Sequence, residues 1–123
     1  MKLYTSYFAR VKKLNELGFT NLVCVAGYAP HFYFEMGGRF YPDLAPRKTW
    51  WREWHDKGLG NDWYEQKYYE TVLSKLNPEE VVHDLGDNAV MLCYEKSGDF
   101  CHRHVITNWI NSTLGIEVEE VKL

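Results

Sequence analysis

Two uninterrupted apolar runs, Leu22-Val23-Cys24-Val25-Ala26 and Ala89-Val90-Met91-Leu92-Cys93, set the tightest limit on what this chain can fold into. Each has the length of a strand, and neither alternates with polar residues. The first is closed by Gly27, the second by Tyr94-Glu95 and a Lys-Ser-Gly turn. An unbroken apolar run suits a strand that is covered on both faces, as in the centre of a parallel sheet.

The segments between these runs carry helical spacing. Lys2 to Tyr7 is β-prone and short, and Val11 to Leu17 forms two turns stopped by Gly18. Residues 28 to 46 read as loop, punctuated by Pro30, Gly37-Gly38, Pro42 and Pro46. Helices are expected over Lys48 to Lys57, Asp62 to Leu76 and Pro78 to Leu85. The second opens on Asp62 and Glu65 at capping-box spacing, and the third on an Asn77 cap with Pro78 behind it. After the Ala89 run comes a helix over Phe100 to Leu114, capped by Asp99 and stopped by Gly115. A last edge strand, Ile116 to Val121, turns Glu117, Glu119 and Glu120 to water. Strands alternating with helices in this way give an α/β fold. A Rossmann-like domain over residues 1–123 is expected, with a mostly parallel sheet of about four strands flanked by helices.

Composition removes several classes of function. A chain of 123 residues holds one core, and a net charge of −3 offers no basic footprint for a nucleic-acid polymer. No apolar run approaches the roughly 20 residues of a membrane span, and the first eight residues are too short and polar for a signal peptide. Three cysteines without framework spacing point to reduced thiols and a cytoplasmic setting.

The chemistry-bearing residues concentrate late in the chain. Residues 89–110 hold two of the three cysteines and two of the five histidines. In an open parallel sheet, ligands sit beyond the carboxyl ends of the strands. Those ends bring Ser6 and Tyr7, then Gly27 and Tyr28, then Glu95 with Cys101, His102 and Arg103, to one rim. Cys101 in a first helical turn near Arg103 is a candidate nucleophile favoured as thiolate, or else a small packing residue. His102 is a candidate acid/base or anion donor, or a partly exposed helix residue. Arg103 opposes the helix dipole unless it meets an anion or a carboxylate, and Glu95 is a candidate partner. Ser6, Tyr7, Glu95 and Arg103 are therefore read as ligand-binding, Cys101 and His102 as catalytic. Cys93 reads as core. A cysteine-phosphatase loop fails on spacing, because Asp99 stands where its Arg would follow Cys93. Zinc on Cys93, Cys101, His102 and His104 is disfavoured, because side chains adjacent on a helix diverge by about 100°. No metal and no cofactor are expected.

Thirteen of the twenty aromatics fall between residues 28 and 69. Tyr64, Tyr68, Val72 and Leu76 recur at helical spacing and read as core. Trp50 and Trp51 cannot face the same way, so one of them is semi-exposed, against a partner or stacked on a ligand. Aromatic faces beside a helix N-terminus suit a nucleotide-like molecule; a homodimer interface accounts for the same excess.

Three segments carry a family resemblance. Tyr4-Thr5-Ser6-Tyr7-Phe8, Leu44-Ala45-Pro46, and Leu92-Cys93-Tyr94-Glu95 followed by Gly98-Asp99-Phe100-Cys101-His102-Arg103-His104 resemble the domain of unknown function 488 family over essentially the whole chain. The resemblance implies a Rossmann-like domain in which the Cys-Tyr-Glu and Cys-His-Arg segments flank a pocket. The basic residue that family members place soon after the second strand is replaced here by Gly27-Tyr28-Ala29-Pro30. The first reading is thus a domain that sequesters or recognises a small anionic, nucleotide-like ligand. The second is a cysteine-dependent hydrolase or group transferase on a similar substrate, and a third is a protein-interaction domain.

Overall fold

The computed structural model describes residues 1–94 and 101–122. The segment 95–100, which holds Glu95, the Lys-Ser-Gly turn, the expected cap Asp99 and Phe100, lies outside the described residues. In chain order the elements are β1 (Leu3–Tyr7), α1 (Val11–Glu16), β2 (Leu22–Cys24), α2 (His31–Glu35), β3 (Arg39–Phe40), α3 (Lys48–Lys57), α4 (Asn61–Thr71), α5 (Pro78–Leu85), β4 (Ala89–Cys93), α6 (His102–Leu114) and β5 (Val118–Glu120). The strands form one parallel sheet in the order β3-β2-β4-β1-β5. This is the α/β, Rossmann-like arrangement, with five strands where about four were expected.

The two apolar runs occupy the middle of that sheet. All five residues of β4 are buried, because β1 and β2 flank it and helices cover both faces. On one face Leu22, Cys24, Val90 and Leu92 pack against Val11 and Leu14 of α1 and Tyr33 of α2. On the other, Leu3, Val23, Ala89 and Met91 pack against α3 to α6 through residues such as Trp50, Tyr68, Val82 and Ile106. Among the described residues no helix is long and apolar enough to cross a membrane.

Several local signals act as expected. The Asn77 side chain accepts from the Glu79 N–H at 2.9 Å, with Pro78 opening α5. Gly115 ends α6 at φ +67°, a left-handed position that suits glycine. Others differ. The 28–46 stretch is not all loop: it holds α2 and the two-residue β3. Tyr33 organises it, donating from its hydroxyl to the Leu22 and Arg39 carbonyls at 3.0 and 2.7 Å. α4 opens after Gly60, one residue ahead of the capping box, and ends at Thr71, with a short 3₁₀ turn over Leu73–Lys75 completing the stretch. Cys101 is the residue that caps α6, in an extended conformation (φ −152°, ψ 148°), and is not inside the first turn. Glu120 does not turn to water; it folds back onto the start of α6.

Candidate functional site

β2 and β4 are neighbours whose onward connections leave on opposite faces. After β2 the chain passes to α2 on one face; after β4 it passes to α6 on the other. Such a divergence opens a crevice at the carboxyl ends of the two strands. A cavity of about 600 Å³ lies there. The turn after β2 supplies Ala26, Gly27 and Tyr28, and the end of β4 with the start of α6 supplies Tyr94, Cys101 and His102. Ala45 and Pro46 close one side. Trp51, Trp54 and Tyr64, from α3 and α4, form an aromatic wall, and Lys48 and Arg52 bring two cations to it. No carboxylate lines the cavity among the described residues.

Helical spacing explains the wall. Lys48, Trp51 and Arg52 stand at i, i+3 and i+4 on α3, so they share one face. Trp50 falls on the opposite side, 6% exposed, and donates from Nε1 to Thr71 Oγ1 at 2.8 Å. Trp51 is half-buried and stacks on His55, their ring centroids 5.2 Å apart. The adjacent tryptophans thus divide between core and cavity.

His102 is fixed at the floor. Its Nε2 lies 2.6 Å from the Val25 carbonyl oxygen. A carbonyl only accepts, so Nε2 carries the proton and Nδ1 presents a lone pair. Nδ1 faces Cys101 Sγ at 3.7 Å. Burial holds the imidazole's pKa down to about 4; the Val25 carbonyl opposes that shift and Arg103 and His104 add to it. The ring is therefore neutral near pH 7.

The sulfurs differ from expectation. A disulfide joins Cys93 and Cys101, so the cysteines are not all reduced thiols. The free one, Cys24, is buried in β2, and burial pushes its thiol pKa up. A nucleophilic Cys101 belongs to the dithiol form of the pair.

The residues expected at the rim divide into two groups. Cys101 and His102 line the cavity. Ser6 and Tyr7 end β1 at the same carboxyl edge, in register with Leu92 and Cys93, but do not line it. Ser6 Oγ is buried with no hydrogen-bond partner among the described residues. Tyr7 lies beneath the Arg103 guanidinium, 5.8 Å from ring centroid to Cζ. Arg103 is fully buried away from the cavity, and its Nη1 donates to Cys93 Sγ at 2.8 Å. Nε and Nη2 donate to the two carboxylate oxygens of Glu120 at 3.1 and 2.9 Å. Glu95 lies outside the described residues. Sequence reading missed Lys48 and Arg52, whose signal was the i, i+3, i+4 spacing around Trp51.

A protein-family model described as DUF488-N3a, the active DUF488-N3 subclade, matches residues 8–114. Comparisons with curated proteins and with solved structures give no match.

Proposed function

The chain belongs to the DUF488 family through its DUF488-N3 subclade, and on that footing we propose that it binds a small anionic, nucleotide-like ligand in the cavity between the ends of β2 and β4. One observation carries this reading. The cavity combines an aromatic wall with two cations and, among its described lining, no opposing carboxylate. A planar base gains area and offset stacking on Trp51 or Tyr28, while its phosphates meet Lys48 and Arg52. The N–H groups at the start of α6 favour the same sign of charge. At about 600 Å³ the volume falls in the range of small-molecule sites.

Thermal-shift titration with mononucleotides, cyclic dinucleotides, ADP-ribose and inorganic phosphate tests it. At least one phosphate-bearing nucleotide is expected to raise the melting temperature. Its stabilisation grows as RT ln(1 + [L]/Kd), about 2.7 kcal/mol at a hundredfold excess over Kd. The Lys48→Ala/Arg52→Ala double variant should lose that shift while melting unliganded near the wild-type temperature. A panel with no wild-type response sinks the proposal.

A second reading rests on Cys101 and His102. With Nε2 oriented by Val25, Nδ1 stands where it can take the proton of a reduced Cys101 thiol, the arrangement of an activated nucleophile. The description of the subclade as active keeps hydrolysis or group transfer on a nucleotide-like substrate in view. Turnover by reduced wild type that vanishes in Cys101→Ser, with ligand binding retained, would favour it over simple sequestration.

A further inference from the structure

The geometry points to a binding site for a thiophilic divalent cation, of the zinc class, built from Cys93 Sγ, Cys101 Sγ and His102 Nδ1 in the dithiol form of the protein. The three side chains offer donor atoms that all lie within 4.8 Å of one another, and all three are buried. The objection that neighbouring residues on a helix diverge does not hold, because Cys101 precedes α6 in an extended conformation. Its sulfur therefore comes round to the same side as the His102 ring, 3.7 Å from Nδ1. An ion with metal–sulfur bonds of about 2.3 Å and metal–nitrogen bonds of about 2.0–2.1 Å sets its tetrahedral edges at roughly 3.5 Å. The observed separation is close to such an edge.

The surroundings are those of a ligating histidine. Nε2–H donates to the Val25 carbonyl, which fixes the tautomer and leaves Nδ1 as the donor to a metal. Arg103 Nη1 donates to Cys93 Sγ at 2.8 Å, a contact that supports a thiolate, and Glu120 offsets the guanidinium charge. The Cα atoms of the two cysteines stand 7.5 Å apart. Disulfides usually span roughly 4.4–6.8 Å, whereas two sulfurs that meet through an ion accept a wider spacing.

Three protein donors leave a fourth position, and Cys101 and His102 border the cavity, so that position is reached from the cavity side. This is the plan of a catalytic rather than a structural ion, which keeps one position for water or substrate. The only co-reactant the chemistry needs is a small-molecule thiol. Two small-molecule thiols reduce the disulfide, joining to each other as they pass two electrons and two protons to Cys93 and Cys101. The cation then displaces both thiol protons to water and bonds to the two thiolates and the imidazole. The site stands whether or not the cavity binds nucleotides.

Cobalt titration of the whole chain, reduced with a phosphine and freed of metal, tests the inference. Thiolate-to-cobalt charge transfer in the near ultraviolet, with visible bands of a tetrahedral ion, should saturate at one ion per chain and reverse on adding zinc. The disulfide form should give neither signal, and Cys24→Ser should match wild type. Cys93→Ser and Cys101→Ser should each lose much of the charge-transfer band, and His102→Asn should weaken binding about tenfold or more. Should the serine variants lose their circular dichroism, the comparison of reduced with oxidised wild type decides alone. Reduced, folded wild type without a charge-transfer band overturns the site, as does an undiminished band in folded Cys101→Ser.

Discussion

Arg103 at the start of α6 and Glu120 at the end of β5 form a two-pronged ion pair, with donor–acceptor distances of 3.1 and 2.9 Å. The arginine is fully buried and the glutamate side chain 25% exposed, so water screens the pair from one side only. Removing the carboxylate takes the two-pronged contact away from a fully buried guanidinium. Glu120→Ala is expected to cost about 3 kcal/mol in urea denaturation, the lower end of the range for such pairs. A loss below about 1 kcal/mol would place the pair among surface ion pairs instead.

A second expectation concerns Gly38. A Cβ built there runs into the Tyr33 ring, whose hydroxyl ties the Leu22 and Arg39 carbonyls together. The ring is fully buried between α2 and the sheet and cannot swing aside. Gly38→Ala should therefore destabilise by about 1–3 kcal/mol, as overpacking does. Gly27→Ala, whose added Cβ meets nothing within 4 Å, serves as the control. Equal midpoints for the two variants would mean that the Tyr33 contact does not govern this segment.

The same tyrosine explains where sequence reasoning fell short. Apolar runs, the Asn77-Pro78 start and the Gly115 stop are local signals, and the elements they mark formed near their expected bounds. β3 has no such signal. Its two residues are exposed, and it is held by distant partners: Tyr33, and the Asn21 and Leu85 atoms that accept from Arg39 Nη2. The direction of Glu120 depended likewise on Arg103, seventeen residues earlier in the chain. At the site, the apolar strand ends and the Cys101-His102 segment were legible because residue types mark them. The cationic wall was not, since Lys48 and Arg52 look like any solvated helix charges until the fold turns their face to the crevice. Cys101 shows a finer limit. A two-residue difference in where α6 begins turned a diverging pair into a converging one.

The adjacent tryptophans separate stability from binding. Trp50→Ala removes a core side chain and leaves Thr71 Oγ1 without its donor, so a loss of about 3–5 kcal/mol is expected. Trp51→Ala should cost well under half of that while weakening the best nucleotide probe severalfold, because its half-buried ring faces the cavity. Calorimetric titration beside urea denaturation reads both effects. If the two variants lose stability equally and bind alike, the division of the pair between core and cavity is wrong.

Thiol chemistry gives the last test. In reduced protein held with a chelator, iodoacetamide should label Cys101 first, because it borders the cavity. Cys24 lies inside β2 at 1% exposure, and burial raises its pKa above the ordinary thiol value. The thiolate is the reacting species, so a raised pKa means a smaller reactive fraction at every pH below it. Cys24 labelling should therefore be slowest near pH 7 and still be climbing at the pH where an ordinary thiol, with a pKa of about 8.5, has levelled off. Peptide mass spectrometry over a pH series follows the cysteines separately. Cys24 modified as fast as Cys101 near neutrality would show that β2 opens readily or that the cavity does not reach Cys101.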